Sequence, residues 1–184
     1  MKNQFLVGKR VYLRPLELND LNGNYPNWLN DPEVTKQNSH HTYPYSKVIL
    51  EDYITNAYSS KDKLPLAIID KENDFHFGNI SLSNIDFINS RSDWGLVIGE
   101  TDYWNKGFAK EASFLILKHA FDSLNIRRIY SGTTVENIGG QKLMEAMGMI
   151  KEGHRKEHIY KNGKYLDVVD YGMLKEDFYK KFNL

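Results

Sequence analysis

A chain of 184 residues, 41% hydrophobic and 26% charged, has the composition of a globular protein and is long enough to bury one sizeable core. Its 24 basic and 24 acidic residues cancel, which argues against any general attraction to nucleic acid or to a membrane surface. The absence of cysteine excludes disulfides, thiolate metal sites and a cysteine nucleophile.

The first residues, "MKNQFLVGKRVYLRPL", carry no long apolar core and no small-residue cleavage site, so no signal peptide is read there. No apolar run approaches the ~20 residues of a membrane span, and a cytoplasmic protein is expected. "KRVYLRPL" reads as a first strand, closed by Pro15. In "ELNDLNGNYPNWLNDPEVTKQ", Asn19 or Asp20 can cap a short helical segment, punctuated by Pro26 and Pro32. "SHHTYPYS" is a loop. Ser46 then caps "KVILEDYITNAYSS", a helix with Val48, Ile49, Tyr53, Ile54 and Ala57 at helical spacing.

"LPLAIID" and "HFGNISLSNIDFI" are the next two strands, and "DWGLVIGE" is the fourth. A long amphipathic helix follows, "EASFLILKHAFDSL", then a fifth strand, "IRRIYSGTTV". "ENIGGQKLMEAMGM" is a helix, although Gly139 and Gly140 are costly near its start. Two further strands join through Lys161-Asn162-Gly163, a good hairpin turn, and "KEDFYKKF" is a terminal helix. No repeat, low-complexity tract or linker is visible. The sequence predicts a single α+β domain over residues 1–184.

The informative stretch is "YWNKGFAKEA", Tyr103 to Ala112, where a strand hands over to a helix. The first turn of a helix has backbone N–H groups without internal partners, and its dipole adds partial positive charge, so such a junction suits a phosphate. Gly107 permits an unusual backbone angle and close approach of a ligand. Ala109 keeps the next contact small, and Lys106 and Lys110 add charge. On spacing alone, a plain turn is the favoured reading of Gly107.

"YWNKGFAKEA" resembles the acetyl-coenzyme A pyrophosphate loop of the GNAT superfamily, in the Tyr-Trp-x-Lys-Gly-x-Ala-x-Glu-Ala form of the ribosomal-protein N-terminal acetyltransferase branch. "TTVENIGGQKLMEAMGMIKEGHRKEHIYKNGKYLDVVDYGML", "GKRVYLRPL" and "WLNDPEV" are similar to that branch as well, in order along nearly the whole chain. The resemblance implies a GNAT-like domain with a mostly antiparallel sheet, helices on both faces, and strands four and five splayed apart. It implies acetyl-CoA as acetyl donor, paired by Val97, Ile98 and Gly99 along its pantetheine arm. Trp104, Asn105, Lys106, Gly107, Phe108, Ala109 and Lys110 would wrap the pyrophosphate, chiefly by main-chain N–H, and Asn137 would reach the arm from the far side. An acyltransferase that moves acetyl to a primary amine follows.

Alkylamines are mostly protonated near pH 7, so a base is expected. Glu100, Asp93, His40 and His41 are the candidates. Glu100 ends the fourth strand, and a histidine loop can relay a proton near neutrality. Each of these also fits an ordinary solvated surface group. The oxyanion needs a backbone N–H from Val97–Gly99. At the two positions where the family usually carries its acid, this chain has Gly140 and Met144, which leaves water, or Tyr130 or Tyr160, to serve the leaving thiolate. His119 reads as a packing or surface residue of the long helix. No HExxH or His-carboxylate cluster is present, and no metal is expected.

Acceptor recognition is assigned to Trp28, Asn30, Asp31, Asn79 and Ser81, with core packing and capping as the competing roles of Trp28 and Asp31. The expected acceptor is a small-molecule amine, an amino sugar included, nucleotide-linked sugars among them, ahead of the N-terminus of a ribosomal or other protein. A silent acetyl-CoA-binding sensor or interaction module is the alternative of another class. No nucleic-acid or membrane partner is expected, and a homodimer is compatible with the sequence.

Overall fold

Alternating apolar residues build a single mixed sheet. A computed structural model describes residues 3–38, 42–59 and 61–184. Among these the strands are β1 (Leu6–Val7), β2 (Val11–Pro15), β3 (Leu64–Asp70), β4 (His76–Asp86), β5 (Arg91–Ile98), β6 (Arg128–Thr134), β7 (Ile150–Lys161) and β8 (Lys164–Leu174). The helices are α1 (Tyr25–Trp28), α2 (Lys47–Asn56), α3 (Phe108–Asp122), α4 (Ile138–Met147) and α5 (Lys175–Phe182). The strand order is β1-β2-β3-β4-β5-β6-β8-β7, antiparallel except for the parallel β5–β6 pair.

The period-2 pattern divides the core between the two faces of the sheet. Val11, Leu13, Leu66, Ile68, Ile80, Leu82 and Trp94 pack with Ile116 and Phe121 of α3, Met144 and Met147 of α4 and Phe178 of α5. Tyr12, Ala67 and Ile69 point to the opposite face and pack with Tyr25 and Trp28 of α1 and Leu50 and Ile54 of α2.

The feature that positions the site is the β5–β6 seam. Only Arg91, Ser92 and Asp93 pair with Arg128, Ile129 and Tyr130. Past that point β5 stays bound to β4 as far as Ile98, and β6 stays bound to β8 as far as Thr134. Each strand is held on its outer side only, so the inner edges diverge. These are the fourth and fifth strands of the sequence reading; the two-residue β1, too short to show alternation, shifts the count by one.

Ser46 does cap α2, accepting from Ile49 N at 3.4 Å. The apolar stripe of that helix is narrower than its spacing predicts. Leu50, Ile54 and Ala57 are buried, but Val48, Ile49 and Tyr53 are 65%, 51% and 39% exposed. The helix rests on the sheet along one line, and Ile49 and Tyr53 turn toward a cavity instead. Asp20 lies inside a short 3-10 turn, Leu18–Asn22, capped by Glu17. The β7–β8 turn has Asn162 at φ 51° and Gly163 at φ 79°, the left-handed pair that a two-residue hairpin turn requires. No described helix is long and apolar enough to cross a membrane.

Candidate active site

The diverging edges of β5 and β6 open into a cavity of about 1130 Å³ that reaches from the start of α3 to α1 and α2. Val97 and Ile98 line it; Gly99 does not. Gly99 N donates to Phe77 O at 2.9 Å, and Val97 and Gly95 sit opposite Asn79 and Ser81. The alternation of an antiparallel ladder then turns the N–H groups of Gly95, Val97 and Gly99 toward β4, and those of Leu96 and Ile98 toward the open edge. The Ile98 carbonyl is occupied by Trp104 Nε1 at 2.9 Å, which ties the following loop back to the strand.

That loop is built to present donors. Gly107 has φ 81° and precedes the fifteen-residue α3. The backbone N–H groups from Asn105 to Lys110 meet no protein acceptor among the described residues. Trp104, Asn105, Gly107, Ala109 and Lys110 line the cavity, whereas Lys106 and Phe108 do not. Their side of the loop is bolted to Arg10, the residue before β2: its Nη1 donates to Lys106 O at 3.0 Å, and its guanidinium lies 4.5 Å from the Phe108 ring centre. Glu111 accepts from Arg10 N at 2.7 Å and from Arg10 Nε at 3.1 Å. Burial alone would lift the Glu111 carboxyl, but these donors win and hold it below its usual range. A concave run of free N–H groups at a helix start, with Lys110 beside it, fits the pyrophosphate of coenzyme A.

On the far wall, Asn137 lines the cavity but its side chain is engaged. Its Oδ1 accepts from Gly140 N at 2.9 Å and caps α4, and its Nδ2 donates to Thr133 Oγ1 at 2.8 Å. A Cβ on residue 140 would stand 2.6 Å from Asn137 Nδ2, which accounts for the glycine. Gly140 and Met144 both line the cavity. Tyr160 is exposed and packs at a tilt against Tyr165, and Tyr130 lines a separate, smaller cavity; neither lines the main one.

The half under α1 and α2 is walled by Tyr25, Trp28, Tyr45, Ile49 and Tyr53. Trp28 Nε1 and Asn24 Nδ2 both donate to Glu100 Oε1 at 2.9 Å, and Glu100 is not among the lining residues. Asn79 and Ser81 do line this half, side by side on the floor. Asn30 does not: it bonds Tyr45 N and O at 2.8 Å each and secures the segment before α2. Asp31 caps a turn, accepting from Glu33 N at 2.8 Å. His40 and His41 lie outside the described residues.

A buried network absent from the sequence reading sits behind this floor. His76 Nε2 lies 2.9 Å from Asn79 Oδ1, His76 Nδ1 lies 3.4 Å from Asp20 Oδ1, and Arg14 grips Asp20 at 2.6 and 2.9 Å. Burial would raise the Asp20 carboxyl; Arg14 and His76 overcome it and drive it far down. With Asn79 Oδ1 turned to His76, its amide N–H₂ is left for the cavity. Nothing in the spacing of residues 14, 20, 76 and 79 signals this grouping. The loop after α1 closes over from the other side, with Thr134 Oγ1 donating to Gln37 Oε1 at 2.9 Å and Lys161 Nζ donating to Thr35 O and Asn38 O. Among the described residues no cluster of three His, Asp or Glu side chains could hold a metal ion.

A splayed parallel seam beside a helix start with unpartnered N–H groups is an arrangement suited to an acyl-CoA-dependent transferase. The chain belongs to the GNAT acetyltransferases: the family's acetyltransferase (GNAT) domain matches residues 10–150. An uncharacterized N-acetyltransferase, p20 of Bacillus licheniformis, is 30% identical over 181 residues, 94% of this chain and 97% of that protein. Spermidine N(1)-acetyltransferase of Vibrio cholerae is 33% identical over 91 residues, 50% of this chain and 52% of that protein. The crystal structure of spermidine N-acetyltransferase from Vibrio cholerae, in complex with CoA and spermine, superposes with a TM-score of 0.84 at 26% identity, covering 93% of this chain and 99% of that one. The chain is an N-acetyltransferase that uses acetyl-CoA.

Proposed function

We propose that the enzyme acetylates the primary amine of a small molecule. The observation that carries this reading is a single cavity joining the α3 cradle, the open β5 edge and an aromatic half under α1 and α2. The similarity to a spermidine acetyltransferase supports a small-molecule acceptor over a protein N-terminus. Amino sugars and polyamines are both members of that class.

Acetyl-CoA, when bound, supplies a thioester whose acetyl carbon bonds to the amine nitrogen as its bond to sulfur breaks and the amine sheds a proton. In this reading the N–H groups of Asn105, Gly107, Ala109 and Lys110 bind the pyrophosphate. The Ile98 N–H, on the open edge of β5, would meet the thioester oxygen and stabilise negative charge there. Ser81 Oγ accepts from the amine and orients it, with Asn79 beside it on the floor. Glu100 is a positioning residue, its Oε1 fixing Trp28 and Asn24, and the amine proton passes to water. With Gly140 and Met144 offering no acid, the leaving thiolate also takes its proton from water. Positioning then supplies much of the acceleration.

The test is free-thiol release from acetyl-CoA with purified enzyme and a panel of amines that includes glucosamine, a nucleotide-linked amino sugar, spermidine, alkylamines and N-terminal peptides. Release with at least one small amine, and none with peptides, is expected. Release with peptides alone would overturn the small-molecule reading. Acetyl-CoA binding without release from any acceptor would point to the silent module, which Gly140 and Met144 otherwise favour.

A further inference from the structure

The acceptor half of the cavity is walled by aromatic and aliphatic side chains, and among the described residues it is poor in carboxylates. Tyr25, Trp28, Leu29, Tyr45, Ile49 and Tyr53 form its wall. Among the described lining residues the carboxylates are Glu33 and Glu136, matched in number by Lys36 and Lys110. Glu33, in the turn after α1, is exposed and stands 3.9 Å from Lys36 Nζ.

Resting on the small-amine reading above, we propose that the acceptor is a primary amine carried on an apolar or aromatic body, with no second positive charge. An aliphatic or arylalkyl amine fits; a polyamine and an amino sugar do not. A polyamine brings further ammonium groups, and each, laid against this wall, would lose hydration without gaining a carboxylate. An amino sugar brings several hydroxyls that each require a partner. An apolar body instead covers what the fold leaves wet. Ile49 and Tyr53 stand 51% and 39% exposed on α2 although Leu50 and Ile54 of the same helix are buried, and both line the cavity. Burial raises the Tyr53 and Tyr25 hydroxyls above their ordinary range, so neither supplies a negative charge near neutral pH. On the floor, Ser81 Oγ can accept from one nitrogen, and it sits across β5 from the open edge.

The experiment compares kcat/KM for phenethylamine and hexylamine with that for spermidine and glucosamine, by thiol release at saturating acetyl-CoA. An advantage of about tenfold or more for the apolar amines is expected, the scale on which hydrophobic pockets discriminate. Tyr53→Glu and Ile49→Glu should each lower phenethylamine kcat/KM and raise the spermidine-to-phenethylamine ratio, with the KM for acetyl-CoA unchanged. Equal or higher kcat/KM for spermidine or glucosamine in the unmodified enzyme overturns the proposal while leaving the small-amine reading intact. Acetyl-CoA binding by calorimetry with no thiol release from any of the four amines or the wider panel overturns both.

Discussion

Trp28 occupies the volume that a side chain on Gly99 would need: a Cβ built on Gly99 overlaps Cγ, Cδ2 and Cε2 of the indole. The ring is buried and fixed at its far end by the Nε1 bond to Glu100, so it has little freedom to retreat. Gly99→Ala should therefore displace Trp28 and break that bond. Overpacking of this kind costs about 1–3 kcal/mol. A lowered urea midpoint with a raised acceptor KM is the expected result, and an unchanged midpoint would mean that the indole is looser than its contacts indicate.

Gly107→Val should weaken acetyl-CoA binding by at least about tenfold while the fold persists. The backbone at φ 81° costs an L-residue roughly 1–2 kcal/mol. The new Cβ also meets Arg10 Nη2 at 3.3 Å, and Arg10 is the residue that holds Lys106 O. Titration calorimetry reads the affinity and circular dichroism the fold. Unchanged affinity would remove the cradle assignment.

Glu100→Gln separates a base from a strut. The amide oxygen of glutamine can still accept from Trp28 and Asn24, so a positioning role predicts a loss of less than about tenfold in kcat. Glu100→Ala, which frees both donors, should cost more and raise the acceptor KM. A fall of about 10²–10⁴ for Glu100→Gln, with the acidic limb of the pH–rate profile lost, is the signature of general-base catalysis and would restore Glu100 to that role.

Asp93 gives the stability curve a slope. Burial, opposed by a bond from Trp94 N–H, pushes its carboxyl up to about 6 from 3.8. Between about pH 4 and pH 6 the folded chain then holds a proton that the unfolded chain has released, so stability falls as pH rises through that window. Above it the cost is present in full. Asp93→Asn should raise the urea midpoint at about pH 7.5 and leave it unaltered below about pH 4. Equal gains at both values would trace the effect to packing rather than to charge.

Local chemistry carried most of the fold in advance. Strand alternation, the Ser46 cap, the Asn162-Gly163 turn and the glycine of the α3 junction are each written within a few neighbouring residues. Relationships between distant segments are not. Nothing near Gly140 announces that it makes room for the Asn137 cap, and nothing near Glu100 announces Trp28. The exposure of Ile49 and Tyr53 depends on how α2 is seated against the sheet, which helical periodicity does not contain. The network of Arg14, Asp20, His76 and Asn79 is assembled by β2, β4 and a 3-10 turn meeting in space.

The three residue pairs of the β5–β6 seam have a mechanical consequence. Among the described residues they are all of the strand pairing between the β1–β5 half of the sheet and the β6–β8 half, extended only by the bonds of Arg127 N and Arg128 N to Ser90 O. A pantetheine arm lying along Leu96 and Ile98 would act as borrowed strand, mending the sheet with a piece that leaves after each turnover. Ligand that binds only the folded chain stabilises it by mass action, by about 2.7 kcal/mol at a hundred times its dissociation constant. The Leu96 and Ile98 amides should then exchange with deuterium more slowly as coenzyme A is added. The lifetime of the folded enzyme would thereby follow the acyl-donor pool that it consumes.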